Sequence, residues 1–255
     1  MPAAFELQVY REKHEYKPYL HKPNIPEGPK VKLYGAYQTN LFPGAATYNY
    51  PFDLPKGTNG LQPSLTLSYN SQSVKSRPSV VGAGWSLTQN YIYRDTNATL
   101  LSTTDDEFKL VLQGTPYNLV YDTTDGLWHT DIESFLRIQN LSGSSGNYTQ
   151  YWLVTTKDAS QYRFGFNPDT EMVSNAGYSY AIKWSLDTIT DTYNNSVFYT
   201  YLEDPFAGDQ GTTYLNEIVY NNDKQRNITF QYEAAPRPDI RFVYETGNKL
   251  NETRR

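Results

Sequence analysis

The side chains of this sequence that could perform catalysis are few and poorly spaced. The chain has no cysteine and three histidines, which leaves no thiol nucleophile and few zinc ligands. His129 follows Trp128 in a short strand-like stretch, where packing or hydrogen bonding across a hairpin explains it better than a role as general base. Gly143–Gly146 reads Gly-Ser-Ser-Gly, a turn composition and not the nucleophile motif of a serine hydrolase. His14 and His21 are expected to be solvated.

Carboxylates are more numerous, but they fall on turns. Asp105, Asp106 and Glu107 are consecutive, so on a strand neighbouring side chains would point to opposite faces instead of forming the facing pair of a glycosidase. Asp122–Gly126 and Asp187–Asp191 offer oxygen ligands for calcium, without the spacing of an EF-hand loop. Turn formation accounts for both segments. The sequence therefore predicts no catalytic residue, no metal site and no cofactor.

The composition favours strands as the elements that position any site. Among 255 residues are 24 tyrosines, 11 phenylalanines and 4 tryptophans, and aromatic residues favour pleated, half-exposed surfaces. The net charge is −5 with no basic block, which argues against a nucleic-acid partner. No run approaches the roughly 18 apolar residues of a membrane span, and the N-terminus lacks the apolar core of a classical signal peptide.

Strand-like runs separated by turn residues continue from Val31 almost to the end of the chain. No interval of about ten to fifteen residues has helical periodicity, which disfavours parallel βαβ units. The sequence therefore predicts an all-β fold in which consecutive antiparallel hairpins form a continuous curved sheet. The predicted strands are Leu41–Phe52, Leu61–Tyr69, Gly84–Arg94, Phe108–Leu112, Tyr117–Tyr121, Leu127–Thr130, Phe135–Asn140, Tyr151–Thr156, Gln161–Phe166, Met172–Val173, Tyr180–Ile189, Val197–Leu202, Leu215–Tyr220, Arg226–Tyr232 and Ile240–Tyr244.

Two stretches show order beyond single strands. In Leu61–Tyr69 apolar and polar residues alternate, the period of a half-buried strand, and the Gly-Ala-Gly-Trp corner at Gly82–Trp85 follows it. Ile182–Tyr201 and Tyr214–Glu233 each read as Leu-x-x-Ile, a polar turn and an alternating aromatic strand, about 30 residues apart. Such spacing is typical of a repeat array.

Several short sequence motifs, taken in order along the chain, resemble the N-terminal region of the Rhs/YD-repeat shell proteins. This family includes the SpvB-like proteins and the B components of bacterial Tc toxins. The motifs include Asp53-Leu54-Pro55, Pro63–Ser71, Gly82–Leu87 and Ile92-Tyr93-Arg94, and the resemblance covers roughly residues 35 to 255. Val80-Val81 and Ala159-Ser160 depart from the usual Gly-rich motifs. The residues taken as structural landmarks are Gly60, Pro63, Tyr69, Asn70, Gly82, Gly84, Trp85, Arg94, Trp184, Tyr232, Arg237, Pro238 and Asp239.

The resemblance implies three parts: a proline-rich extended arm over residues 1–30, an SpvB-like β region over 31–175, and the first YD-type hairpins over 176–255, incomplete at the C-terminus. It implies a non-enzymatic wall of a shell that encloses a C-terminal toxin polypeptide. Expected partners are the remaining shell or a complementing chain at an open sheet edge, the enclosed toxin, and other toxin-complex or secretion components. Export without a classical signal peptide, after a cytoplasmic stage, is also implied.

A different function class also fits the aromatic content. Alternate tyrosines such as Tyr199 and Tyr201 would place several rings on one face of a sheet, where they could stack on sugars. Aromatic ladders that stabilise a long sheet explain the same spacing. A secreted or surface carbohydrate-binding or adhesion protein is therefore the alternative to the shell.

Overall fold

The computed structural model describes residues 35–40, 44–221 and 223–255, so the predicted arm over residues 1–30 lies outside the described residues. The described part contains strands and short 3₁₀ turns, and no α-helix. Its strands are β1 Ala36–Asn40, β2 Ala45–Pro51, β3 Thr66–Asn70, β4 Trp85–Leu87, β5 Tyr91–Asp95, β6 Glu107–Leu112, β7 Thr115–Asp122, β8 Leu127–Thr130, β9 Arg137–Ser142, β10 Gln150–Thr155, β11 Gln161–Phe164, β12 Glu171–Val173, β13 Ala181–Thr190, β14 Ser196–Glu203, β15 Thr213–Tyr220, β16 Arg226–Thr229, β17 Val243–Glu245 and β18 Asn248–Leu250. The predicted all-β antiparallel class is confirmed.

The first four strands form a sheet of their own, in the order β1-β2-β3-β4. The chain then crosses to the main sheet within the three residues that separate Leu87 from Tyr91. Thr88 still donates its backbone N–H to Thr66 of the first sheet, at 3.0 Å, whereas Asn90 already accepts from Leu186 of the main sheet, at 3.0 Å. The prediction of one strand over Gly84–Arg94 is therefore wrong, because the two halves pair with different sheets.

Eight strands of the main sheet close into a ring. β5 to β11 pair in sequence order, and β13 pairs with both ends of that series, with β5 through Lys183–Ser185 and with β11 through Leu186–Thr190. β12 also pairs with β13. From β13 the sheet continues outward through β14, β15 and β16, each antiparallel to the one before. The two predicted repeat hairpins correspond to β13–β14 and β15–β16.

Aromatic and aliphatic side chains fill the ring. Trp152 and Trp184 are fully buried, and their ring centroids lie 5.9 Å apart in an edge-to-face arrangement. Phe108 contacts both indoles, at 5.1 and 5.9 Å between centroids. The other members of this core with zero exposure are Ile92, Leu110, Ile138, Val154 and Phe164 in the ring, and Val197 and Ile218 on β14 and β15. Edge-to-face packing suits the ring quadrupoles, so the interior is a packed aromatic core.

The C-terminal residues pack back on loops that follow β12 and β14. Asn248, in a segment that the sequence marks as a turn, is fully buried at the start of β18, and its Oδ1 accepts from Ser174 Oγ at 2.9 Å and from the Asn175 N–H at 2.8 Å. Asp209 accepts from the Thr253 N–H, at 2.9 Å, and from the Tyr214 hydroxyl, at 3.0 Å. The tail is thus held by buried hydrogen bonds.

Strand bounds differ from the predictions where a turn residue or a proline intervenes. β3 starts at Thr66, five residues after the predicted start at Leu61, because Pro63 has no N–H to give to a ladder. Thr66–Tyr69 are each partly covered and Asn70 is exposed, so the burial of β3 does not alternate as the sequence pattern predicts. The strands β1 and β18 were not predicted.

Candidate functional site

One open end of the ring, the ring mouth, forms a cleft of about 500 Å³. The strand registers define which side chains face into it. Tyr121 lies opposite Trp128, and Trp128 lies opposite the fully buried Ile138. Side chains directly opposite each other share a face of the sheet, so both aromatic residues lie on the interior face.

Two amide side chains lie on the same interior face. Asn140 is directly opposite the buried Trp152, and Gln150 precedes Trp152 by two residues on β10. Both line the cleft, and neither side chain makes a hydrogen bond within the part of the chain that the structure describes. The cleft therefore combines aromatic rings with uncommitted amides.

The charged group at the base of this cleft is already neutralised. Arg94 is buried, donates from Nε to the Ala181 carbonyl oxygen at 2.9 Å, and pairs through Nη1 with Asp106. Its guanidinium lies 5.1 Å from the Phe108 ring centroid and 5.0 Å from that of Tyr180. Arg94, a predicted landmark, thus joins β5, β13 and the loop before β6.

A second cleft, of about 700 Å³, lies against the outer face of the ring, beside the β17–β18 hairpin. Lys183 lines it, with its Nζ 4.6 Å from the Tyr91 ring centroid and without a hydrogen bond or ion pair to any described residue. Burial lowers the pKa of Lys183 to about 8, although the nearby Glu252 acts in the opposite direction. Burial also raises the pKa of the Tyr91 hydroxyl.

An apolar groove of about 410 Å³ separates the first sheet from β16. Leu65, Leu67 and Leu87 line it on one side, and Ile228 and Phe230 line it on the other. This groove follows the last strand of the main sheet. These aliphatic and aromatic side chains can make apolar contacts, but they cannot catalyse a reaction.

The β7–β8 turn brings together the one group of three potential metal ligands found among the described residues, Asp122, Asp125 and His129. Their ligand atoms lie within 4.8 Å of one another, and His129 Nε2 is 2.9 Å from Asp125 Oδ2. Each aspartate also accepts a backbone N–H two residues on, Asp122 from Thr124 and Asp125 from Leu127. Turn formation thus explains these residues, as the sequence indicates.

The predicted landmarks in the first sheet form a packed corner, not a site. Tyr69 lies opposite Trp85, with ring centroids 5.1 Å apart, and Asn70 accepts the Gln72 N–H at 3.0 Å. Gly84 has φ +77°, and a Cβ there would lie 2.7 Å from Val74 Cγ2. Two further landmarks, Gly60 at φ +80° in a 3₁₀ turn and the buried Pro63, precede this corner, and Gly82 at φ +116° lies within it.

The remaining landmarks tie distant segments together. Arg237 is buried, bonds Asp239 through Nε at 2.8 Å and donates from Nη1 to the Ser79 carbonyl oxygen at 2.8 Å. The Tyr232 hydroxyl donates to the Leu215 carbonyl oxygen at 2.6 Å, whereas Pro238 is exposed. Trp184, described above, lies at the centre of the ring. The landmarks are therefore dispersed through the fold, and their role as shared family positions stays a prediction.

The tyrosine platform of the alternative function is absent from its expected place. Tyr199 is only 6% exposed, and the Tyr201 hydroxyl donates to the Leu186 carbonyl oxygen at 2.9 Å. Burial raises the pKa of Tyr201 well above its usual value. These rings stabilise the sheet, so sugar stacking on Tyr199 and Tyr201 is excluded.

The sequence reasoning missed the ring-mouth residues Tyr121, Asn140 and Gln150. Tyr121 ends the predicted strand Tyr117–Tyr121 and Asn140 ends Phe135–Asn140, and no sequence pattern brings these two residues together. β7, β8, β9 and β10 are consecutive neighbours in the sheet, so hairpin pairing sets their ends side by side, and ring closure makes their interior face the wall of an opening. The one available signal was the run of polar amides on strands otherwise rich in aromatic residues.

The comparison with known families supports the resemblance. Residues 40–131 match the family model SpvB, described as Salmonella virulence plasmid 65kDa B protein. No curated protein matches the sequence. Among the described residues, no helix is long and apolar enough to cross a membrane.

Solved structures share the fold. The N-terminal domain of effector protein SpvB from Salmonella typhimurium strain LT2 is 19% identical with a TM-score of 0.63, over 80% of this chain and 84% of that one. A TcdB2-TccC3-TEV structure is 18% identical with a TM-score of 0.66, over 92% of this chain and 14% of that one. The Photorhabdus luminescens Tc holotoxin pore is 17% identical with a TM-score of 0.64, again over 92% and 14%. The chain therefore spans about a seventh of the length of these Tc toxin chains, and the SpvB-like and Tc-toxin resemblance is confirmed.

Proposed function

We propose that this chain is a non-catalytic wall segment of a toxin shell that encloses a toxin polypeptide for delivery. In this proposal residues 31–175 form the SpvB-like part and residues 176–255 the first YD-type hairpins. The matches to SpvB and to Tc toxin chains support a toxin-complex component. Enclosure, export without a classical signal peptide and partnership with further shell chains belong to the proposal.

The observation that carries the proposal is the edge of β16. Among the described residues, β16 pairs with β15 alone, at the end of a sheet that leaves the ring through β13. Phe230 donates its N–H to Asn216, at 2.9 Å, and inward and outward bonds alternate along an antiparallel strand. The N–H groups of Asn227 and Thr229 therefore point away from β15. An unpaired edge is a template for another strand.

The apolar groove beside β16 makes this edge suitable for a strand of the shell. Ile228 and Phe230 face Leu65, Leu67 and Leu87 across it. A strand added to β16 would bond to the outward N–H groups, and its apolar side chains would extend this groove. Main-chain bonds would supply affinity, and the groove would select apolar side chains.

A matched pair of proline substitutions tests the edge. Thr229→Pro removes an outward N–H from an exposed position, whereas Ile228→Pro removes an N–H that is bonded to β15. We expect Thr229→Pro to leave the melting temperature nearly unchanged and to prevent co-purification of shell partners from producing cells. Ile228→Pro should lower the melting temperature. Partner assembly by Thr229→Pro at the wild-type level would contradict the proposed edge.

Electron cryomicroscopy of the co-purified complex tests the shell itself. We expect a hollow β-structured particle in which a further strand continues β16 and an additional polypeptide occupies the lumen. Hydrogen exchange at Asn227 and Thr229 should be slower in the complex than in the isolated chain. A complex without a lumen, or equal exchange in both states, would contradict the shell.

A further inference from the structure

The ring mouth has the chemistry of a ligand site that the shell does not need. We propose that the ring-mouth cleft binds a neutral carbohydrate, with a pyranose ring against Tyr121 and Trp128 and its hydroxyl groups on the amides of Asn140 and Gln150. The proposal is independent of the toxin shell, because it uses neither β16 nor its groove. The mouth of a closed ring of strands is a common place for a small ligand.

The aromatic pair supplies an apolar surface at the right place. Tyr121 is 49% exposed although it lies on the interior face, because it is near the end of β7. Its ring centroid is 5.3 Å from that of Trp128, which is itself supported by Phe108 at 5.1 Å and Trp152 at 5.4 Å. Aromatic faces are electron-rich, and the C–H groups on one face of a pyranose carry the complementary partial charge.

The amides supply hydrogen bonds that no protein group uses. Asn140 is partly buried, and its side chain, like that of Gln150, makes no hydrogen bond to any described residue. Each amide offers two donors and one acceptor oxygen, which matches a pair of adjacent sugar hydroxyl groups. Both amides are accessible from the cleft, Gln150 as an exposed side chain and Asn140 as a partly buried one, so a polar ligand can replace water on them.

The floor of the ring has further unsatisfied polar atoms. The Nε1 atoms of Trp152 and Trp184 are buried and have no hydrogen-bond partner, although both side chains are fully enclosed in the ring. Asp106 Oδ1 is also buried and unbonded, beside the Arg94 pair. Buried polar groups are normally bonded to protein or to water. None of these three residues lines the ring-mouth cleft, so the hydroxyl groups of a ligand there would bond to Asn140 and Gln150 and not to these atoms.

Charge and ring geometry select a neutral sugar over other ligands. Among the described residues Arg94 is the only cation lining the cleft, and Asp106 neutralises it, so an anion gains no free partner. The planes of Tyr121 and Trp128 meet at 51° and the rings touch, which leaves no parallel slot for a flat nucleobase. A volume of about 500 Å³ accommodates a monosaccharide or a disaccharide.

The test is ligand binding by the full chain. The probes are the methyl glycosides of glucose, galactose, mannose and N-acetylglucosamine, together with cellobiose, lactose and chitobiose. Binding is measured by tryptophan fluorescence and by saturation-transfer NMR. Adenosine and uridine are tested in the same way, as ligands of a different chemical class. We expect saturable binding of at least one sugar and a change in tryptophan emission, since Trp128 lines the cleft.

Three substitutions locate the site. Tyr121→Ala, Asn140→Leu and Gln150→Met should each weaken sugar binding by about tenfold, the equivalent of one contact or hydrogen bond. Their melting temperatures should stay close to the wild-type value, because none of these side chains makes a hydrogen bond to a described residue and Tyr121 is half exposed. Tyr193→Ala is the control, at an exposed tyrosine of the β13–β14 turn.

Four outcomes would overturn the proposal, three of which concern the sugar probes and the three substitutions at the site. These are no saturable binding of any sugar probe, binding that the three substitutions leave unchanged, or tighter binding of adenosine or uridine than of every sugar. Loss of binding in Tyr193→Ala to the same extent would also overturn it. Since Thr229→Pro affects only the shell edge, that variant should bind sugar like the wild type, which separates this proposal from the shell.

Discussion

Arg237 donates from Nη1 to the carbonyl oxygen of Ser79 at 2.8 Å, which joins the segment after β16 to the Gly82–Trp85 corner across 158 residues of sequence. The same guanidinium bonds Asp239, and Glu252 lies 3.9 Å from it. One side chain therefore holds the C-terminal segment against the first sheet.

Arg237→Lys tests this link. Arg237 reaches Ser79 and Asp239 through three separate nitrogens, whereas a lysine has one, so the substitution should weaken these bonds. We expect a loss of about 2 kcal/mol of folding free energy, measured by urea unfolding. Arg255→Lys is the control, because Arg255 makes one exposed pair with Glu233, at 3.0 Å. Similar losses in both variants would show that the Ser79 bond contributes nothing.

Gly84→Val tests the corner beside Trp85. The substitution places a β-branched side chain at φ +77°, where a Cβ would also lie 2.9 Å from Tyr69 Cε2. We expect a loss of roughly 3 kcal/mol, or a melting temperature lower by about 10 °C. Gly114→Val is the matched control, with φ +80° and open space around the Cβ, and it should lose less. An unchanged melting temperature in Gly84→Val would remove the claim.

Glu171→Gln tests a buried carboxylate. Glu171 is fully buried, and burial raises its pKa, although the Tyr148 N–H at 3.1 Å acts in the opposite direction. Because the folded state holds this proton more tightly than the unfolded state, its contribution to stability falls as pH rises above 4.5, the unfolded pKa, until the folded pKa is passed.

Glu171→Gln removes that titration, so its thermal stability should fall less between pH 5 and pH 8 than that of the wild type. Calorimetry over this range measures the difference, with the exposed Glu107→Gln as the control. Parallel pH profiles for Glu171→Gln and wild type would contradict the assignment.

Lys183→Met tests the buried ammonium of the outer cleft. The pKa of Lys183 is about 8 in the folded state against 10.5 as its ordinary value, so the unfolded state binds the proton more tightly between these values. The contribution of Lys183 to folding stability therefore rises as pH increases from 8 to 10.5. At pH 7 the folded state carries the full free-energy cost of burying the charged ammonium.

Methionine fills similar space without charge, so Lys183→Met should gain about 2 kcal/mol at pH 7 and lose the alkaline rise in stability. Chemical denaturation at pH 7 and pH 10 measures both effects. Lys249→Met, on the β17–β18 hairpin, serves as the control. A loss of stability at pH 7 would show that the contact with Tyr91 outweighs the cost of burial.

The sequence predicts those strands well whose limits are set by their own residues. Leu127–Thr130 was predicted with both bounds correct, because Gly126 ends the preceding turn and the strand is short. Phe108–Leu112 is confirmed to within one residue. In each case local turn chemistry decides the outcome.

Ring closure could not be predicted, because it depends on both edges of one strand. Nearly every residue of β13 is buried, including neighbours such as Ser185 and Leu186 that face opposite sides. Continuous burial of that kind indicates a strand covered on both faces. It does not say which strands lie beside it, so the ring mouth and its residues followed only from the tertiary structure.

The position of β13 also determines the order in which this chain can fold. β5 and β11 have no closing partner until residues 181–190 exist, and the pairing of Tyr91 with Ser185 spans almost the whole ring. Such distant contacts are slow to form. The ribosome releases the N-terminal residues first. Until β13 is synthesised, β5 to β11 would therefore form an open seven-stranded sheet with two unpaired edges that can pair with other chains. A chaperone that covers those edges would be most useful during synthesis of residues 165 to 190.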